Sequence, residues 1–139
     1  MTKQPTQLEA DVRAGVVPFA KSLGVIHIRM HFGAGATTGY PDDLFLFPNG
    51  VSLWVEFKRP GKEAKPIQAF RIKELMDMGH PAVVIDNIGA GRETMQEFMR
   101  VALGIQSIAE GGAGAIPDSP AEDAGFSGPA APFGDAMFT

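Results

Sequence analysis

Asp42-Asp43-Leu44-Phe45-Leu46-Phe47-Pro48-Asn49-Gly50-Val51-Ser52-Leu53-Trp54-Val55-Glu56-Phe57-Lys58 runs from a pair of acids, through a turn signal, to a third acid and a lysine. The runs 44–47 and 51–55 are rich in aromatic and branched residues, and Pro48-Asn49-Gly50 lies between them, so the segment reads as a β-hairpin. A three-residue loop at 48–50 sets Asp42 opposite Glu56, whereas a two-residue Asn49-Gly50 turn sets Asp43 there instead. Either register brings two carboxylates together across neighbouring strands. On an extended strand, side chains i and i+2 share a face, so Glu56 and Lys58 point the same way. An acid and a lysine at the end of a buried strand are costly unless their charges meet each other, a metal or a substrate phosphate. The pattern asks for a divalent cation and a phosphodiester.

Working outward, Leu8, Val12, Val16, Phe19 and Leu23 recur at helical spacing, with Gly15 and Pro18 expected to kink or split that helix. Residues 25–30 read as a strand, followed by a glycine-rich loop at 33–39. That loop lacks the Gly-Lys-Ser/Thr ending of a phosphate-binding P-loop and reads as a loop skirting the substrate. Pro66 suits a helix first turn and Gly79 its C-terminal end. A strand at 82–86, a Gly89-Ala90-Gly91 turn and a helix over 94–103 complete the pass. Strands mingled with helices in this order predict an α/β domain, a mixed β-sheet flanked by helices.

Gly39-Tyr40-Pro41-Asp42, Val55-Glu56-Phe57-Lys58, Gln68 opening the next helix, Gly79 before the strand 81–85, and Glu9 on the first helix occur in an order and spacing that resemble the VRR-NUC (virus-type replication-repair nuclease) group of PD-(D/E)xK nucleases. The resemblance covers roughly residues 6–86. It departs from the group's pattern at Phe57, where a small or β-branched residue is more usual, and at Arg59-Pro60 after the lysine. It implies a restriction-endonuclease-like core and an enzyme that hydrolyses DNA phosphodiesters with Mg²⁺ or Mn²⁺. Asp42 and Glu56 would hold the metal, with the Phe57 main-chain carbonyl as a third ligand and Glu9 supporting it through water. Lys58 and Gln68 would complete the catalytic set. Stand-alone members resemble junction resolvases, which implies branched DNA as substrate and a homodimer. A DNA-binding scaffold that kept the fold without turnover is the alternative.

Each residue also has a plainer reading. Thr6-Gln7-Leu8-Glu9 is a capping box in which Glu9 satisfies a helix-end amide. Gln68, one turn before Ile72, lies on the inward face, where an amide wants a defined partner; the resemblance implies that it braces Lys58 or the DNA backbone. Lys58 would otherwise be an edge-strand charge. His27, His31 and His80 lack zinc-site spacing, and no cysteine is present to complete one. The stripe Met95, Phe98, Met99, Ala102 is either a dimer surface or core.

The net charge of -4 hides an uneven distribution. Residues 104–139 hold five of the sixteen acids and no base, leaving twelve basic against eleven acidic residues in 1–103. Lys58, Arg59, Lys62, Lys65, Arg71 and Lys73 cluster just after the acidic site; Lys62, Lys65 and Arg71 are the expected phosphate contacts. The boundary between 1–103, a nuclease-like domain, and 104–139, a Gly/Ala/Pro-rich acidic tail, follows composition: the tail contains too little apolar area to offset its ordering entropy and is expected to be disordered. Its end, 132–139, mixes aromatic and acidic residues and could dock a protein partner. No apolar run approaches a membrane span and no disulfide is possible, so a soluble protein of a bacterial or phage-infected cytoplasm is expected.

Overall fold

The computed structural model describes residues 7–35 and 37–111, with side chains placed as far as 105. Seven elements follow in order: α1 (Glu9–Ser22), β1 (Ile26–Arg29), β2 (Asp43–Leu46), β3 (Ser52–Phe57), α2 (Pro66–Asp77), β4 (Ala82–Ile85) and α3 (Ile88–Gly111). The sheet order is β1-β2-β3-β4. The first two pairings are antiparallel and the third is parallel, with α2 as the crossover between β3 and β4. The fold is therefore the mixed α/β sheet flanked by helices that the sequence predicts.

The hairpin takes the three-residue turn. Asp43 pairs with Val55 and Leu46 with Ser52, and a bond from the Phe47 amide to the Val51 carbonyl (2.8 Å) closes the loop. Asn49 and Gly50 both have positive φ (61° and 77°), which asparagine and glycine tolerate best. Strand alternation then sends Phe45, Leu53, Val55 and Phe57 to one face, where they are buried against Val12, Val16 and Ala20 of α1 and Met95 and Ala102 of α3. Each fully buried phenylalanine contributes about 1.5–3 kcal/mol relative to exposure.

Several sequence expectations are corrected here. Helix α1 runs unbroken through Gly15 and Pro18. Pro18 is exposed, as is Ala14, so the carbonyl that the ring deprives of a partner can meet water. Gly15 admits Ile88: a Cβ there would lie 2.7 Å from that side chain. The helix is capped at Leu8, whose amide donates to Asp11 Oδ2 (2.8 Å). Glu9 is thus the first helical residue and not the capping acid; Thr6 lies outside the described residues.

Gly89-Ala90-Gly91 is not a turn but the start of α3, where the Ala90 amide donates to the Asn87 side chain (3.0 Å). The Met95 stripe is core: Met95 and Ala102 are fully buried, and Phe98 and Met99 pack against the cluster. Helix α3 also continues past residue 103 to Gly111, beyond the composition change. The remainder of the tail, including 132–139, lies outside the described residues. Among the described residues, no helix is long and apolar enough to cross a membrane.

Candidate active site

The register that buries Phe45 also places the acids. Continued by one residue, it sets Asp42 across from Glu56, and the Asp42 charge bears on the Glu56 carboxyl. Glu56 and Lys58 occupy the face of β3 opposite Phe57, and both are buried. The strand is internal to the sheet and its pairing extends to Lys58, whose amide donates to the Ile85 carbonyl (2.9 Å). Lys58 is therefore no edge-strand charge. Its ammonium stands 3.3 Å from Glu56 Oε1.

Gln68 does two things at once. Its Oε1 accepts the Lys65 amide at the start of α2 (2.9 Å), and its Nε2 donates to Glu56 Oε1 (2.9 Å). It therefore braces Glu56, not Lys58. With Oε1 held by Gln68 and Lys58, Glu56 Oε2 is left buried without a hydrogen-bond partner, the one such side-chain atom among the described residues. A buried polar atom left unpaired is costly, and a carboxylate oxygen in that position suits a cation. Burial pushes the Glu56 carboxyl above its usual range; the Lys58 bond and charge pull it down, and the charges of Asp42 and Glu9 push it up further.

Glu9 reaches the neighbourhood from α1. Its Oε1 accepts Arg13 NH2 (3.2 Å). No group of three His, Cys, Asp or Glu side chains converges to hold a metal among the described residues. The donor set still fits Mg²⁺, which keeps several waters and needs only one or two carboxylates. Lys62 and Lys65 are exposed beside the site, on a segment pinned by the Gly61 amide bonded to Asp86 Oδ2 (3.1 Å).

No family model matches the sequence. Over 79 residues, 57% of this chain and 83% of the other, it is 30% identical to a protein of Acyrthosiphon pisum secondary endosymbiont phage 1 named "Putative nuclease p44". Two solved structures share the fold. A "VRR_NUC domain" superposes with a TM-score of 0.57 at 21% identity, covering 63% of this chain and 94% of that one. A "VRR_NUC domain protein" gives 0.56 at 24% identity, covering 69% and 91%. The chain belongs to the VRR-NUC family.

In this VRR-NUC chain, Asp43 has a different task from Asp42. Fully buried on the core face, it accepts bonds from Arg13 Nε and NH2 (both 3.1 Å, to Oδ2) and lies 2.7 Å from His27 Nε2. The three-residue turn thus assigns Asp42 to the site and Asp43 to an internal ion network. Burial alone would lower the Arg13 pKa, but the bonds and charges of Asp43 and Glu9 outweigh it and raise it. The Arg13 guanidinium also covers the Phe57 ring at 5.2 Å, so the unusual phenylalanine of the Glu-x-Lys motif serves as a floor for that network. Sequence reading missed Arg13, which has no motif of its own; its spacing of four from Glu9 was the available signal.

Arg71 is also placed otherwise than as a free cation. Its Nε donates to the Thr38 carbonyl (3.1 Å) and its NH1 to both oxygens of Glu74 (3.3 Å each). Lys73, one of the clustered bases, pairs with Asp77 on the surface.

Proposed function

We propose that this chain is a Mg²⁺-dependent, structure-specific DNA endonuclease that hydrolyses phosphodiester bonds in branched DNA, four-way junctions in particular, as a homodimer. The observation that carries this reading is Glu56 Oε2, buried and unpartnered opposite Asp42 with Lys58 and Gln68 on its sister oxygen. The phage relative named as a nuclease supports the same reading.

Asp42 and Glu56 would hold the ion, with the Phe57 carbonyl as a third ligand and Glu9 acting through water; Mn²⁺ suits the same oxygens. The bound ion would supply a water of lowered pKa and charge neutralisation at the phosphate. Gln68 fixes the Glu56 carboxylate in one orientation. Lys58, on the same face, orients the attacking water and offsets charge developing on the phosphate oxygens. Lys62 and Lys65 bind phosphates flanking the cleaved bond. One chain supplies one such site, and a symmetric cut of two strands needs two, so a two-fold dimer is the economical assembly.

A cleavage assay with the full chain on four-way junction, flap and linear duplex DNA tests this. Cleavage of the junction in Mg²⁺, none in EDTA and none by Glu56→Gln is the expected result. No cleavage of any substrate in Mg²⁺ or Mn²⁺ would sink the nuclease reading. Linear duplex cut as fast as the junction would remove the structure-specific part alone.

A further inference from the structure

Helix α2 touches both acid-bearing segments, and only one of these contacts is explained by the site described above. Gln68 holds Glu56 on β3. One turn later, Arg71 and Glu74 hold the segment that leads into Asp42. The Arg71 guanidinium binds the Thr38 carbonyl and Glu74 and lies over the Tyr40 ring at 5.0 Å. The Tyr40 hydroxyl donates to Glu74 Oε1. Gly39 is pressed against the helix: it has a φ of +91°, and a Cβ there would lie 2.7 Å from Ile67 Cγ1 and 3.0 Å from the Ile67 carbonyl oxygen. Pro41, next to Asp42, is fully buried.

We propose that Arg71, with Tyr40 and Glu74, is a positioning clamp that fixes Asp42 relative to Glu56, so that α2 sets the spacing of the two carboxylates before a divalent cation arrives. The inference rests on the nuclease reading given above. Two carboxylates facing each other repel, and an unrestrained 39–42 segment would relax away from Glu56. Holding it against α2 removes that rearrangement from the free energy of cation binding. The fork of Arg71 is suited to this task because it spans a carbonyl and a carboxylate at once while stacking on a ring, which a lysine cannot do. The Tyr40 bond, chiefly, together with the Arg71 charge and bond, keeps the Glu74 carboxyl below its usual range despite opposing desolvation.

The test measures Mn²⁺ binding to the full-length chain by electron paramagnetic resonance, well below the melting temperature, for the wild type, Glu56→Gln, Arg71→Lys, Arg71→Gln and Tyr40→Phe. DNA affinity is measured against salt for the same set. The clamp predicts that Arg71→Lys and Tyr40→Phe each weaken Mn²⁺ binding by about tenfold, as loss of a group that orients a metal ligand does. Cleavage returns to near the wild-type rate at saturating Mn²⁺, and the salt slope of DNA binding is unchanged. If both variants bind Mn²⁺ like the wild type while Glu56→Gln does not, the clamp is overturned and the nuclease reading stands. If Arg71→Gln lowers the slope of log affinity against log salt by about 0.9, and Arg71→Lys restores it with unaltered Mn²⁺ affinity, Arg71 is a phosphate contact and the clamp is equally overturned. A wild-type chain that binds no Mn²⁺ overturns both.

Discussion

Glu56 is held where its charge is a burden to the fold, with Oε2 buried and unpartnered. Burial lifts the folded carboxyl above its ordinary value of 4.5, so the fold favours the protonated form. The stabilisation from that form is complete below the unfolded pKa and is lost as pH rises through the raised folded value. In EDTA, the wild type should therefore lose stability relative to Glu56→Gln as pH rises above the ordinary carboxylate range of about 4. Melting both proteins from there upward in pH checks it; a constant difference would place the carboxyl in an unperturbed setting. The neighbouring aspartates should separate cleanly. Asp43→Asn breaks the buried pair with Arg13 and should cost about 3 kcal/mol in denaturant unfolding, while cleavage persists wherever the protein remains folded. Asp42→Asn should abolish cleavage with little change in stability; the reverse pattern would mean the two residues have been exchanged. The shared neighbourhood of Glu56, Lys58 and Gln68 was legible in the sequence because strand alternation and helix spacing are local, whereas the choice between Asp42 and Asp43 waited on the register. The bonds from Arg13 to Asp43 and from Arg71 to Thr38 were not legible, because they span 30 and 33 positions and use residue types common on any surface.

Among the elements, the hairpin was readable because its turn residues are local determinants of backbone geometry. Its register was not, since turn length alone separates two arrangements with the same hydrophobic content. The start of α3 was misread for an instructive reason. Gly91 resembles turn punctuation, yet it lies inside a helix because α1 and β4 approach it: a Cβ would lie 2.5 Å from Val16 Cγ2 and 2.9 Å from Ile85 Cγ2. Both neighbours are β-branched and have little rotamer freedom to yield. Gly91→Ala should consequently destabilise by about 1–3 kcal/mol, even though alanine is the better helix former by about 1 kcal/mol. Equilibrium unfolding in urea measures the balance, and a stabilised variant would show that α1 can move aside. Likewise, the Met95 stripe belongs to the core because α3 covers the sheet from its first turn, a fact of tertiary packing that periodicity does not contain.

At the scale of the whole molecule, a net charge of -4 coexists with two exposed lysines beside a cluster of acids. Lys62 and Lys65 have no ion-pair partner among the described residues, unlike Arg71 and Lys73. Neutralising both to glutamine should weaken DNA binding alike across sequences and lower the salt slope by roughly 0.9 per lost duplex contact. Titrations from low to moderate salt give that slope, and an unchanged value would leave the two lysines as ordinary solvated charges. The Pro48-Asn49-Gly50 turn has a consequence for how this protein can evolve. Because side chains alternate along β2, deleting or inserting one residue there would do more than loosen a loop. It would offer Asp43 to the site and turn Asp42 toward Phe57, stripping Arg13 and His27 of their counter-charge in the same step. The length of a surface turn should thus be as intolerant of change as the acids themselves, and lineages that vary it should also have rewritten position 13.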